Sequence, residues 1–320
     1  MSILLPVRNE IDHIDDCLAS IAAQDYSGGW EVVVADGRSA DGTLDRLREW
    51  AGRLPLRLVD NPLQRQSAGL AAASRVAEGK VLVRMDAHTT YSVDYVSRSV
   101  AVLEETEADA VGGPMNAQSS SRFGQAVARM MGSRLGMGPA PYRHSVVRRP
   151  VDTVYLGAFR AATFQSLGGM RQLPSGVAED ADFYFRLRRS GGTVILDPDI
   201  VSRYTPRDRP QELARQYWRY GMGKADMLYV NGRWPSWRPA APALLALGLS
   251  AATILGPVWG WWPLFALLAV WLGTLVAAAR GRVLDLAAGT IMHLAYGFGL
   301  LRGLLRSPRA VRAGVVSHQP

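Results

Sequence analysis

Lys80-Val-Leu-Val-Arg-Met-Asp86-Ala-His88 is an apolar run that stops abruptly at a carboxylate and an imidazole, and the reading of the chain turns on it. Val81, Leu82 and Val83 suit a strand buried on both faces. On an extended backbone, residues two apart point the same way. Asp86 and His88 are therefore expected to share one side of the strand end, where they can hold a divalent ion. An isolated Asp-x-His reads more readily as a helix cap followed by a surface histidine, so the surroundings must decide.

Upstream, Ser2-Ile-Leu-Leu-Pro6 reads as a short buried strand. A helix follows, with Ile11, Ile14, Leu18 and Ile21 at helical spacing, and it should end by Tyr26-Ser-Gly-Gly29. A second strand occupies 30–35. Leu44, Leu47 and Trp50 mark a helix that Ser39 or Asp41 can cap. Residues 56–59 form a third strand, and an alanine-rich helix over 66–78 leads into the Lys80 stretch. This alternation predicts an α/β fold with a mostly parallel sheet, whose ligands gather at the carboxyl ends of the strands. Asp36 and Asp86 both stand at such ends.

Beyond Asp86 the spacing predicts helices over 93–107 and 123–135, and strands at 110–111 and 151–156, the latter ending in Gly157-Ala-Phe-Arg160. Residues 136–150, rich in Gly, Pro and Arg, read as a mobile loop. Glu179, Asp180 and Asp182 fall in the first turn of a helix, where acidic residues complement the helix dipole whatever else they do. A strand at 193–196 and a helix over 211–224 follow, the helix containing Gln216-Tyr-Trp-Arg219-Tyr220.

The 320 residues carry a net charge of +8, but its placement argues against nucleic acid. Between Arg203 and Arg238 eight basic residues face three acidic ones, immediately before an apolar region. Basic residues beside a membrane entry point follow the positive-inside tendency, and no nucleic-acid-binding module accompanies them. The single cysteine, Cys17, excludes an internal disulfide and fits a reducing compartment. Charged Arg8, Glu10 and Asp12 interrupt any signal-type apolar core, so the charged part is expected to stay cytoplasmic.

Four features, in order, give this chain its resemblance to the family 2 glycosyltransferases of the GT-A fold. They are Leu5-Pro-Val-Arg-Asn-Glu10, the Val34-Ala-Asp36-Gly-Arg-Ser-Ala-Asp41-Gly-Thr43 loop, Asp86-Ala-His88, and Glu179-Asp180 followed by Gln216-x-x-Arg219-Tyr220. The match covers roughly residues 1–225. The Asp-Ala-His form and the trailing apolar segments look most like bacterial membrane-attached transferases of the succinoglycan-type exopolysaccharide group.

The resemblance implies a nucleotide-sugar donor, a UDP-hexose by expectation, bound by Pro6, Arg8, Glu10, Asp36, Arg65 and Asp86. It implies Mn²⁺ or Mg²⁺ on Asp86 and His88, bridging the diphosphate and neutralising the leaving group. An inverting transfer needs a base for the acceptor hydroxyl, a role that falls to Asp180, with Glu179 as positioning residue or alternative base. Gln216, Trp218, Arg219 and Tyr220 would meet the acceptor and the diphosphate. Three positions depart from the family pattern: His88 stands for an Asp, Gly37 for a second acidic residue, and Tyr220 for a Trp.

Residues 240–258 and 259–279 are uncharged stretches of 19 and 21 residues, each long enough for a hydrocarbon core of ~30 Å. Trp259, Trp261 and Trp262 would mark the far interface. A third segment, 286–301, has 16 residues between Asp285 and Arg302 and is marginal at roughly 24 Å. A third crossing would also place Arg302, Arg306, Arg309 and Arg312 outside, against the positive-inside tendency. Two crossings are expected, with the third segment tilted, re-entrant or interfacial. The chain then divides into a catalytic domain (1–225), a basic and aromatic connector (226–239), a membrane region (240–305) and a basic tail (306–320), held at the inner membrane. Its acceptor would be a polyprenyl diphosphate-linked saccharide at the cytoplasmic face. The nearest rival is a polyprenyl-phosphate hexose synthase. A processive synthase has little material for a polymer channel, and a transporter reading leaves the charged half without a role. The Gly37 and His88 departures keep open a catalytically silent scaffold that binds nucleotide sugar or glycan.

Overall fold

A computed structural model of the chain describes residues 1–138, 140–143, 145–234 and 236–316. The end of the basic tail, 317–320, and Pro139, His144 and Pro235 lie outside the described residues. The opening alternation is as expected: β1 (Ser2–Val7), α1 (Ile14–Ala22), β2 (Glu31–Asp36), α2 (Thr43–Trp50), β3 (Leu56–Asp60), α3 (Gln66–Val76) and β4 (Val81–Arg84). Then come β5 (Thr89–Tyr91), α4 (Tyr95–Thr106), β6 (Ala110–Gly113), β7 (Asn116–Ala117), α5 (Arg122–Met131), α6 (Arg134–Met137) and β8 (Arg149–Pro150). The sheet-bearing half continues through β9 (Tyr155–Arg160), α7 (Ala161–Ser166), α8 (Glu179–Arg189), β10 (Val194–Leu196), β11 (Ser202–Tyr204) and α9 (Pro210–Asn231).

Eight strands form one sheet in the order β3-β2-β1-β4-β9-β6-β10-β8. The pairs β3-β2-β1-β4 and β6-β10 are parallel, whereas β9 runs antiparallel to both its neighbours. Alternation on β1 and β2 divides the core in two. Ile3, Leu5, Val32 and Val34 meet Ile14, Leu18 and Ile21 of α1 and Val96 of α4, while Leu4 and Val33 meet Leu70 of α3 and Phe183 of α8. Each such fully buried aliphatic side chain contributes about 1.5–3 kcal/mol. A second sheet, β5-β11-β7, was not anticipated. Its strands have two or three residues each, too few for a period-two pattern to register.

Other boundaries differ for local reasons. The strand expected over 151–156 is instead β9, because Gly157 is a bulge inside the strand and not its end. There φ reaches 117°, and a Cβ would lie 2.3 Å from the Tyr184 hydroxyl. The helix expected over 123–135 breaks at Gly132, and Ser133 then caps α6. The mobile loop over 136–150 contains part of α6, a turn of 3₁₀ helix at Pro141–Arg143, and β8. Ser39 does not cap α2. Gly42 holds the cap position, and Asp41 accepts the Thr43 amide at 3.1 Å. Finally, α9 runs through the expected domain boundary at 225 and stops only where Gly232 adopts the left-handed region.

Three helices are long and apolar enough to cross a membrane: α10 (Ala240–Trp259), α11 (Trp262–Ala279) and α12 (Val283–Leu304). The third is longer than its uncharged stretch of 286–301. Asp285 enters the helix because Arg129 of α5 grips it at 2.6 and 2.8 Å. α12 lies parallel to α9 along most of its length. Gly221 faces the backbone of Tyr296 and Leu300, Gly303 meets Ala225, and the Tyr229 hydroxyl donates to the Leu304 carbonyl at 2.5 Å. α12 touches α10 near its start and α11 at its middle: Gly297 abuts Pro242 and Ala246, and Trp271 donates to His293 at 3.1 Å. The distal halves project beyond it, with Ile254, Val258, Trp262 and Val270 more than 70 % exposed. A short α13 (Pro308–Ala313) follows, and Val316 then pairs with Gln172 of the sheet-bearing half.

Candidate active site

Because β1 and β4 are parallel neighbours, their carboxyl ends place Pro6 and the turn after it beside Asp86. The start of α3 closes the third side. Six predicted residues, Pro6, Arg8, Glu10, Arg65, Asp86 and His88, line one cavity of about 170 Å³ there. The expected extended backbone is not what joins Asp86 and His88. β4 ends at Arg84, and the Thr89 amide donates to the Asp86 carbonyl at 3.1 Å, so 86–89 is a turn. The turn is fixed from below by the buried Tyr91 hydroxyl, 2.7 Å from the Asp86 amide.

Asp86 is buried, and its Oδ1 accepts from Gln66 at 2.9 Å and from Arg84 at 3.4 Å. His88 places Nδ1 3.3 Å from Glu10 Oε1, while its ring meets Tyr204 edge-on. Burial pulls the imidazole pKa down, but the Glu10 contact and the nearby Asp86 charge outweigh it, leaving His88 above its ordinary value. A carboxylate on one ring nitrogen is the usual arrangement for a histidine that ligates metal through the other. Glu10, expected on the nucleotide sugar, is thus engaged with His88. Among the described residues no three His, Cys, Asp or Glu side chains converge as a closed metal site. Two protein ligands completed by substrate phosphates and water suit Mg²⁺ or Mn²⁺, so the donor set fits the expected ion.

Asp36 lies outside this cavity. It borders a neighbouring hollow of about 410 Å³ lined also by Arg38, Leu58 and Asp60. Both of its oxygens are already engaged by Ser39, at 2.6 Å to the hydroxyl and 3.1 Å to the amide. Gly37 has a steric reason: a Cβ there would lie 3.1 Å from the Arg8 side chain that covers it.

Glu179 and Asp180 begin α8 after Ala178, which is held at φ 67°. Glu179 is buried, and burial together with the Asp180 charge pushes its pKa up to about 7 despite Arg84. Asp180 is more open and accepts the Ala181 amide at 2.6 Å. Asp182 is structural, fully buried between Arg171 and Arg186. On α9, Tyr217 is buried packing, whereas Trp218 and Tyr220 are 38 % and 37 % exposed. Gln216 donates to the Tyr204 and Tyr220 hydroxyls, and Arg219 reaches the Gly176 carbonyl at 3.4 Å.

Arg84 had no role in the sequence reading. Its buried guanidinium lies within the fields of Asp86, Asp180 and Glu179, which hold it protonated against its burial and join the two carboxylate groups electrostatically. The signal was available as an arginine interrupting the apolar Val81–Met85 run.

The chain is similar to known proteins. The family model for Glycosyl transferase family 2 matches residues 2–167. Succinoglycan biosynthesis protein ExoA of Rhizobium meliloti is 32 % identical, covering 97 % of this chain and 96 % of that one. The Methanococcus voltae dolichyl N-acetyl-alpha-D-glucosaminyl phosphate 3-beta-D-2,3-diacetamido-2,3-dideoxy-beta-D-glucuronosyltransferase is 24 % identical over 73 % of this chain and 76 % of its own. Among solved structures, the mannosyltransferase PcManGT of Pyrobaculum calidifontis, in complex with GDP-Man and Mn²⁺, superposes with a TM-score of 0.58 at 23 % identity. It covers 95 % of this chain and 86 % of its own. With the motifs, the GT-A sheet and a near full-length relative in agreement, the chain belongs to glycosyl transferase family 2.

Proposed function

We propose that this protein is an inverting, metal-dependent hexosyltransferase. It moves a sugar from a nucleoside-diphosphate donor, UDP-hexose by first expectation, to a lipid-linked saccharide at the cytoplasmic face of the inner membrane, in polysaccharide or glycolipid synthesis. The observation that carries this reading is the single cavity uniting Pro6, Arg8, Glu10, Arg65, Asp86 and His88, with buried Arg84 3.4 Å from Asp86 behind it. The Rhizobium meliloti relative, named for succinoglycan biosynthesis, supports the polysaccharide setting. The Methanococcus voltae relative, named for transfer to a dolichyl phosphate-linked sugar, supports the lipid-linked acceptor.

In the reaction the acceptor oxygen forms a bond to the anomeric carbon while the bond to the diphosphate breaks on the opposite face. Asp180 takes the hydroxyl proton. Asp86 and His88 would hold the divalent ion, which neutralises the departing diphosphate. Arg8 and Arg65 add positive charge to the donor cavity, and the exposed Trp218 and Tyr220 offer rings for an acceptor sugar. The test is a panel of nucleotide sugars and lipid-linked acceptors offered to membranes with and without Mn²⁺ or Mg²⁺, with products identified by mass. A product of one hexose on polyprenyl phosphate would reassign the enzyme as a hexose synthase, and no transfer under any condition would favour the silent scaffold. His88→Ala is expected to raise the half-saturating Mn²⁺ concentration about ten-fold or more, and an unchanged metal titration would remove His88 from the ion.

The membrane topology proposed is a hairpin of α10 and α11, with α12 lying at the interface. Val316 and Gln172 exchange backbone hydrogen bonds of 3.0 and 3.2 Å, and an odd number of crossings between them would separate the pair. Along α9, the partner of α12, stand Glu212, Arg215, Arg219, Lys224 and Asp226, which keep both helices out of hydrocarbon. A side-specific reporter is expected on the cytoplasmic side at the C-terminus and on the opposite side when inserted at Gly260. An external C-terminus would overturn this topology.

A further inference from the structure

The turn that presents Glu179 and Asp180 is braced by the far end of the chain. Ala178 is held in the left-handed region, which a non-glycine residue keeps only where its neighbours impose it. One brace is α9: a Cβ at Gly223 would lie 2.8 Å from Val177 and 3.0 Å from Ala178, and the fully buried Asp226 accepts the Ser175 amide at 2.7 Å. The other brace follows α12. Arg306 donates to the second oxygen of Asp226 at 2.8 Å, Gly314 lies against Pro174, and Val315 packs with Leu173, Phe185 and Met227. Val316 completes the contact through its two backbone hydrogen bonds to Gln172.

We propose that residues 306–316 form a strap that positions the Glu179–Asp180 turn for sugar transfer, with Arg306 as the anchoring residue acting through Asp226 and Ser175. The proposal rests on the reading that these carboxylates serve the transfer. Arg306 supplies the positive charge that a buried Asp226 requires, and Asp226 fixes the turn. Since the strap leaves α12 directly, the seating of α12 at the membrane face is carried to the catalytic turn.

The test compares full-length wild type, Arg306→Met, Arg306→Lys and Val316→Pro in detergent, by amide hydrogen exchange and by steady-state kinetics with whichever nucleotide sugar of the panel above wild type transfers. Arg306→Met is expected to speed exchange over 173–178 while leaving β1 and β4 unchanged, and to lower kcat about ten-fold or more. Its donor KM should stay within roughly two-fold, because the turn does not line the donor cavity. Arg306→Lys should restore most of kcat. Val316→Pro keeps the Arg306–Asp226 pair, so it decides the matter alone if Arg306→Met does not fold; it should change exchange and kcat in the same direction by less. Unchanged exchange in the turn, faster exchange with unchanged kcat, or a donor KM that rises in step with the loss would each overturn the strap. If wild type transfers no sugar, the functional reading fails, and the exchange comparison still decides whether the strap holds the turn.

Discussion

Asp180→Asn is expected to lower kcat for sugar transfer by about 10³-fold, within the range that general base catalysis supplies, with donor KM little changed. The change keeps the size and shape of the side chain and its acceptor oxygen for the Ala181 amide, so the start of α8 stays intact. What it removes is the ability to take the acceptor proton. Glu179→Gln provides the contrast. Glu179 is buried and its pKa is pushed up to about 7, chiefly by burial and then by Asp180, so it is partly protonated at neutral pH in the folded enzyme. If it only positions Asp180, its replacement should cost no more than about ten-fold. Steady-state kinetics of both variants check the assignment. A loss in Glu179→Gln equal to that in Asp180→Asn would transfer the base role to Glu179, and full activity in Asp180→Asn would remove Asp180 from the chemistry.

Gly221→Val should be strongly damaging although it lies outside the site. A Cβ at Gly221 would lie 2.2 Å from the Tyr296 carbonyl oxygen and 2.6 Å from the Leu300 amide, and neither backbone group can turn aside as a side chain could. A Cβ at Gly299 would lie 2.2 Å from the Trp218 carbonyl oxygen, so α9 and α12 meet almost backbone to backbone. Overpacking of this kind typically costs up to about 3 kcal/mol. Because α9 carries Gln216, Arg219 and Tyr220, the displacement should also reduce transfer. The measurements are folded yield and thermal unfolding in detergent, with Gly273→Val as control, since nothing lies within 4 Å of a Cβ at Gly273. Equal stability of the two variants would mean that the α9–α12 seam is looser than described.

Much of the molecule was legible from local pattern. The strands β1, β2 and β4 are continuous apolar runs because helices cover both faces of the sheet, and burial of that kind writes itself into consecutive residues. The ends of those strands point to Asp36 and Asp86 as candidates, and the motif order points to Glu179, Asp180 and Gln216–Tyr220. Unbroken apolar length also gave α10 and α11, since length and hydropathy are properties of consecutive residues. Side-chain partnership was not legible. That Glu10 belongs to His88, that Ser39 occupies Asp36, and that Arg84 lies among three carboxylates follow from contacts between residues up to 96 positions apart, which no window can contain. The third apolar helix shows the division most sharply. Sequence alone determined that 286–301 was apolar and its flanks charged, because charge and hydropathy are properties of the residues themselves. Only the tertiary structure decided that Asp285 lies inside the helix, that α12 leans on α9, and that the tail returns to Gln172, because each is set by a partner far along the chain: Arg129, Gly221 and Val316.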